Sequence, residues 1–144
     1  FFEDPTSTQF WEGLPEDPIK ACQQQFDRIF ERYQNNLGGM NALVLKNTNG
    51  LIGICGLLTQ TVDDIDELEI GYSLLPQYRK KGFATEAAQR CKLHAKKHNL
   101  TKSLISIIHV DNLPSQKVAI NNGMILDKTT TYKQNPVHIF RVIL

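Results

Sequence analysis

The segment Glu67-Leu68-Glu69-Ile70-Gly71-Tyr72-Ser73-Leu74-Leu75-Pro76-Gln77-Tyr78-Arg79-Lys80-Lys81-Gly82-Phe83-Ala84-Thr85-Glu86 passes from a strand through a basic loop into a helix. Leu68, Ile70, Tyr72 and Leu74 alternate with Glu67, Glu69, Gly71 and Ser73, which predicts a strand carrying both glutamates on one face. Beyond Pro76, the apolar stripe Phe83, Ala84, Ala87, Ala88, Cys91 and Ala95 predicts a helix from about Gly82 to His98. Its first N–H groups have no intrahelical partner, Gly82 admits a ligand to the backbone, and three cations stand beside them, so the junction has the makings of an anion site. Taken alone, a solvated basic turn explains it equally well. It is neither a Walker loop nor the Gly-x-Gly-x-x-Gly dinucleotide fingerprint.

Working outward, residues 1–16 read as an irregular segment pinned by Phe1, Phe2, Phe10 and Trp11. Asp17 as N-cap and Pro18 at the first position start a helix whose Cys22, Phe26, Ile29, Phe30 and Tyr33 should bury one face, stopping at Gly38-Gly39. The runs Ala42–Leu45 and Leu51–Leu58 flank Asn49-Gly50 and predict an antiparallel hairpin. A β-branched strand follows at Leu104–Val110, then a helix at Leu113–Asn122 capped by Asn112 and stopped by Gly123. Strands near Met124–Tyr132 and Val137–Leu144, with a turn at Asn135-Pro136, close the chain. The order α β β β α β α β β is that of an α+β or mixed α/β domain, read as one domain over 1–144.

The chain has 144 residues, 41% hydrophobic and 22% charged, enough for a self-supporting core without disulfide or metal. Sixteen basic against fifteen acidic side chains give a net charge of +1, which removes the whole-molecule electrostatic case for nucleic-acid binding. Cys22, Cys55 and Cys91 stand far apart in sequence and fit neither a disulfide framework nor a zinc spacing, so a reducing, cytoplasmic setting and no metal are expected. The apolar run at Leu51–Leu58 is too short to span a bilayer, so no membrane is expected either. With Phe1 as its first residue, the chain is expected to begin inside a longer polypeptide.

Arg79, Gly82 and Ala84 resemble the fixed positions of the Arg/Gln-x-x-Gly-x-Gly/Ala motif of the GNAT superfamily of N-acetyltransferases, which binds the pyrophosphate of acetyl-CoA. Glu69–Leu74 with Pro76, and Thr85-Glu86-Ala87, look like the strand and helix start of the RimJ/RimL-type branch. Asn112-x-x-Ser115-x-x-Val118-Ala119-x-x-x-Gly123-Met124 is similar to its second signature. The resemblance implies the GNAT fold, a mostly antiparallel twisted sheet flanked by helices, with the family's first strand not in this sequence. Lys80 stands where the family usually has Gly, so its backbone should avoid positive φ or carry strain.

By the same resemblance, an amine acceptor attacks the thioester of acetyl-CoA directly in a ternary complex. Arg79, Lys80, Lys81, Gly82, Phe83, Ala84 and Thr85 would hold the pyrophosphate. Backbone groups of Ser73 and Leu74, on a strand with a bulge in this family, would hold the thioester; Asn112 would bond the pantetheine arm and Ser115 would protonate the departing thiolate. Glu69, acting through a water, is the first choice for the base, with Glu67 in reserve. An α-amino group of pKa roughly 8 loses its proton at pH 7 for about 1 to 1.5 kcal/mol, whereas an amine near 10.4 needs roughly 4.6 kcal/mol, so the base matters more for the second. Tyr132, Lys133 and Trp11 are candidates to border the acceptor pocket, a role the sequence does not distinguish from packing, and His109 and His138 read as core or surface residues. A protein N-terminus, a small amine and an aminoglycoside-like compound all remain open as acceptors, and a homodimer rests on analogy alone. An idle acyl-CoA-binding sensor or interaction module is the alternative from another class; a basic RNA contact through Arg79–Lys81 is a weaker one.

Overall fold

Asp17 starts the first long helix. Its carboxylate accepts the Ile19 N–H at 2.9 Å, Pro18 takes the first position, where no N–H is needed, and α2 runs Pro18–Gln34. Before it, the computed structural model, which describes residues 1–10 and 13–144, has a short helix, α1 (Pro5–Thr8), within the segment read as irregular. The expectation of a buried face on α2 is overturned: only Ala21 is buried, while Phe26 and Phe30 are 51% and 57% exposed. The helix lies along an edge strand, tied by a 2.8 Å bond from Tyr33 Oη to the Met40 carbonyl, so the sheet covers only a narrow strip of it.

The strands are β1 (Gly38–Val44), β2 (Leu51–Val62), β3 (Ile65–Leu74), β4 (Ser103–His109), β5 (Ile125–Tyr132) and β6 (Asn135–Ile143). They form one sheet in the order β1-β2-β3-β4-β6-β5, antiparallel except where β3 meets β4. Two tight links have two successive residues at positive φ, Asp63-Asp64 (48° and 63°) and Lys133-Gln134 (47° and 68°), the twist that matches paired strands. The last turn is therefore at Lys133-Gln134, and Asn135-Pro136, predicted as the turn, opens β6 instead. Asn49 does adopt positive φ (53°), but in a longer loop closed by its N–H to the Leu45 carbonyl at 2.8 Å.

The helices α3 (Phe83–Lys97) and α4 (Leu113–Asn121) cover one face of the sheet over Cys55, Ile70, Leu104, Ile108 and Phe140. A second apolar cluster comprises Val62, Ile105, Val137 and Ile139. The fold brings Cys55 and Cys91 together as free thiols 3.6 Å apart, which their separation in sequence hid. No helix among the described residues is long and apolar enough to cross a membrane.

What positions the site is the junction of β3 and β4. Strands β2 and β3 stay in register from Gly53–Leu74 to Val62–Ile65 without a shift, so the bulge expected in β3 is not there. Strands β3 and β4 share a single register pair, Glu69 with Ile105. Past it they splay, because β4 follows its antiparallel partner β6 along its whole length. The splay opens the facing edges of Gly71–Leu74 and Ser106–His109.

Candidate active site

A cavity of about 660 Å³ starts in this splay, walled by Gly71, Tyr72, Ser73 and Ser106, and runs on to α2 and the β5–β6 turn. Glu69 lies on its wall, where the two strands part. Its carboxylate accepts the Gln60 side-chain amide at 2.8 Å and the Ile107 N–H at 3.4 Å. Burial raises its pKa above the usual carboxylate range, against the opposing pull of those two bonds and of the Arg32 and Lys133 charges. The Tyr132 hydroxyl donates to Gln60 Oε1 at 2.9 Å and fixes the amide that holds Glu69. Burial pushes the Tyr132 phenol up to about 12, so it remains a donor at neutral pH.

Glu67, on the same face as the alternation predicts, has a different environment. Arg141 of β6 grips it with two bonds, 2.6 and 3.0 Å, and also holds Asp127 at 2.9 Å and the Ser103 hydroxyl at 2.9 Å. A carboxylate bound in this way is a poor proton acceptor, and it does not line the cavity.

The basic loop follows a 3-10 turn, Pro76–Tyr78. Lys80 sits at φ 59° and Gly82 at φ 85°, so of the two outcomes expected at Lys80 the second holds: the lysine carries a strained, left-handed backbone. That conformation costs a side-chain-bearing residue about 1 kcal/mol or more. The backbone N–H groups of Lys80, Lys81, Gly82, Phe83, Ala84 and Thr85 have no acceptor among the described residues, and nothing lies within 4 Å of where a Gly82 Cβ would be. Six free N–H groups on a backbone with left-handed residues form a concave donor set suited to a pyrophosphate. The Arg79 guanidinium is engaged elsewhere: it bonds the Leu74 carbonyl at 3.2 Å and the Thr6 hydroxyl at 2.8 Å, bonds Ser7, and pairs with Asp4 at 3.5 Å. It ties α1 to the end of β3. Lys81 leans over the Tyr78 ring, 5.8 Å from its centre.

On the cavity's other wall, Asn112 caps α4 by accepting the Ser115 N–H at 3.2 Å, and the Tyr72 hydroxyl donates to the Ser115 carbonyl at 2.8 Å. Both α4 residues line the cavity with Ser73, while Leu74 lies outside it with its carbonyl held by Arg79. Tyr132 and Lys133 do border the far end. Trp11 falls outside the described residues. His109 is more than a core residue, since it lines the cavity and stacks on Phe10 with ring centres 5.0 Å apart. His138 bonds Thr129 at 2.8 Å away from it. Sequence reasoning missed Gln60, Tyr72, Arg28 and Arg32, whose roles depend on which strands and helices become neighbours. Among the described residues no group of three or more His, Cys, Asp or Glu is placed to hold a metal.

The acetyltransferase (GNAT) domain family model matches residues 1–125. YkkB of Bacillus subtilis is 25% identical over 142 residues, covering 96% of this chain and 80% of that protein. Among solved structures, an acetyltransferase of Agrobacterium tumefaciens superposes with a TM-score of 0.80 at 21% identity, over 100% of this chain and 81% of its own. RimL, a ribosomal L7/L12 alpha-N-protein acetyltransferase in complex with coenzyme A, has a TM-score of 0.73 at 15% identity, over 99% of this chain and 86% of its own. The chain belongs to the GNAT acetyltransferase family, has its mixed α/β fold, and is by that membership an N-acetyltransferase.

Proposed function

We propose that the protein, one domain over 1–144 of the RimJ/RimL-type branch, transfers the acetyl group of acetyl-CoA to a primary amine by direct attack in a ternary complex. The observation that carries this reading is the cavity itself: a partly shielded carboxylate, Glu69, at the point where two strands part, with a free-amide cradle at the other end of β3. The residues present fit the coenzyme. The N–H groups from Lys80 to Thr85, with Lys80 and Lys81, receive the pyrophosphate; Arg79 fixes the loop that presents them. Of the main-chain groups called on for the thioester arm, the Leu74 N–H faces the splayed edge while its carbonyl is held by Arg79, Ser73 turns its main chain to β2 and borders the arm by its side chain, and Asn112 borders the same arm.

The amine nitrogen forms a bond to the thioester carbonyl carbon, and its proton passes to Glu69 through a water. The oxyanion takes a hydrogen bond from the β3 main chain and collapses, breaking the C–S bond. The Ser115 hydroxyl passes a proton to the departing thiolate and takes one back from solvent, and the proton held by Glu69 returns to solvent, so that the amide and the free thiol are the net products. The place of Ser115 in the first turn of α4, held by Asn112 and Tyr72, supports that role. The reading places this chemistry in a reducing, cytoplasmic setting. Calorimetric titration with acetyl-CoA, on the parent and on Lys81→Ala, followed by a free-thiol assay with a panel of amines, tests the reading. Micromolar binding weakened by the substitution and thiol release with an amine are expected; binding without release from any amine would favour a sensor over an enzyme.

A further inference from the structure

The far end of the cavity has a charge pattern that the transfer chemistry does not need. Arg28 and Arg32 lie four residues apart on α2, one turn on the same face, and Lys133 reaches the same hollow from the β5–β6 turn. Among the described residues none of the three forms an ion pair. Arg28 makes a 3.4 Å bond to Gln24; Arg32 bonds the Leu37 and Thr59 carbonyls, and its Nε is buried without a hydrogen-bond partner. Lys133 stands 5.2 Å from the centre of the Tyr132 ring.

Burial, together with the charges of Arg28 and Arg32, lowers the Lys133 pKa below the ordinary range, with Glu69 opposing. The acids nearby do not neutralise the cluster. Glu69 is held by Gln60 and Ile107, and Glu31, which also lines the cavity from α2, forms no ion pair with any of the three among the described residues. On the rim, Asp63 pairs with Lys128 at 2.6 Å and Asp66 accepts from Thr61 at 2.7 Å, leaving Asp64 at the turn. Three cations gathered beside a carboxylate that must receive a proton are arranged for a substrate with the opposite pattern, an anion next to an amine.

Resting on the transferase reading above, we propose that the acceptor is an amine bearing a carboxylate a few bonds from its reactive nitrogen, of the free amino acid class, with the carboxylate held by Arg28, Arg32 and Lys133 and the amine facing Glu69. The same charge pattern works against polyamines and aminoglycosides, whose additional ammonium groups would meet the three cations.

The test is thiol release from acetyl-CoA with matched acceptors: free L-amino acids, their amides, the corresponding decarboxylated amines, and C-terminally amidated peptides whose first residue is Asp or Glu. The expected result is a preference of roughly tenfold or more in kcat/KM for the amino acid over its amide, falling about tenfold in Lys133→Gln and in Arg28→Gln through KM, with coenzyme affinity by calorimetry retained. Preference for the acidic peptides over their neutral counterparts would also support the inference, assigning the carboxylate to a side chain. Equal or better turnover of amides and polyamines, with a ratio unmoved by both substitutions, would overturn it and leave the transferase reading intact. Coenzyme binding with no turnover of any amine would overturn both.

Discussion

Glu67 and Glu69 are two residues apart on one strand and project from the same face, yet their surroundings give them different chemistry. Arg141 binds Glu67 through both carboxylate oxygens, whereas Glu69 has only neutral donors and raised basicity. A carboxyl whose folded pKa lies above its unfolded value binds more protons in the folded state, so its contribution to stability is lost as pH rises from the unfolded value through the folded one. Glu69→Gln removes that loss. In urea titrations at pH 4 and pH 7.5, the parent should therefore weaken relative to the variant at the higher pH, while the variant's kcat/KM falls by roughly 10²- to 10⁴-fold for a strongly basic amine and less for an α-amine. An acid limb displaced above that of an ordinary glutamate should disappear with it; an unchanged rate would remove Glu69 as the base. Gly82 allows a similar separation of strain from binding. With φ at 85° and open space ahead, Gly82→Ala should lose about 1–2 kcal/mol of stability from backbone strain alone. Its acetyl-CoA affinity should fall tenfold or more, because the new methyl group stands where a phosphate would approach. Equal affinity would place the phosphates elsewhere.

At the level of elements, Arg141 is a clasp. It joins β6 to β3 through Glu67, to β5 through Asp127 and to β4 through Ser103, and both ends of the Glu67 pair are less than a quarter exposed. Arg141→Met leaves Glu67 without its cation, and denaturant unfolding should register a loss of about 1–3 kcal/mol while kcat/KM of the folded enzyme stays near the parent value. A matching loss of activity at full folding would show that the clasp shapes the cavity. The elements that could be read from sequence are those whose signal is local. Alternation placed Glu67 and Glu69 on one face of β3, Asp17-Pro18 marked the start of α2, and Gly82 and Asn112 marked the starts of α3 and α4. What could not be read depends on neighbours. Periodicity marked Phe26 and Phe30 as buried, but α2 lies along an edge strand that covers little of it. The turn at Lys133-Gln134 has no glycine to signal it, and the Cys55–Cys91 contact joins elements 36 residues apart. The candidate site was legible as a motif at Arg79–Thr85 and, at the far end of the cavity, in Tyr132 and Lys133; the part that α2 contributes, Arg28 and Arg32, was not.

For the whole molecule, the consequence is the gap between β3 and β4. A sheet that splits after one register pair exposes main-chain groups on both sides, and a ligand that bonds them acts as a missing strand joining the β1-β2-β3 half to the β4-β6-β5 half. Coenzyme binding should therefore stabilise the fold, not only a loop. At a concentration about 100 times Kd the linkage is about 2.7 kcal/mol, which for a domain of this size raises Tm by roughly 5–10 °C. Hydrogen exchange locates the effect. Added acetyl-CoA should slow exchange at the β3 end over 71–74, at the loop amides from Lys80 to Thr85 and at the β4 edge over 106–109, while the β5–β6 turn at Lys133-Gln134 changes little until an acceptor is present. The loop amides carry the sharpest expectation, because among the described residues they have no acceptor to protect them beforehand. Protection confined to the loop, with 71–74 and 106–109 unchanged, would mean that the coenzyme binds by its phosphates alone and that the splay is not its path. Protection across both strands would identify the split sheet as the device that brings the thioester to Glu69.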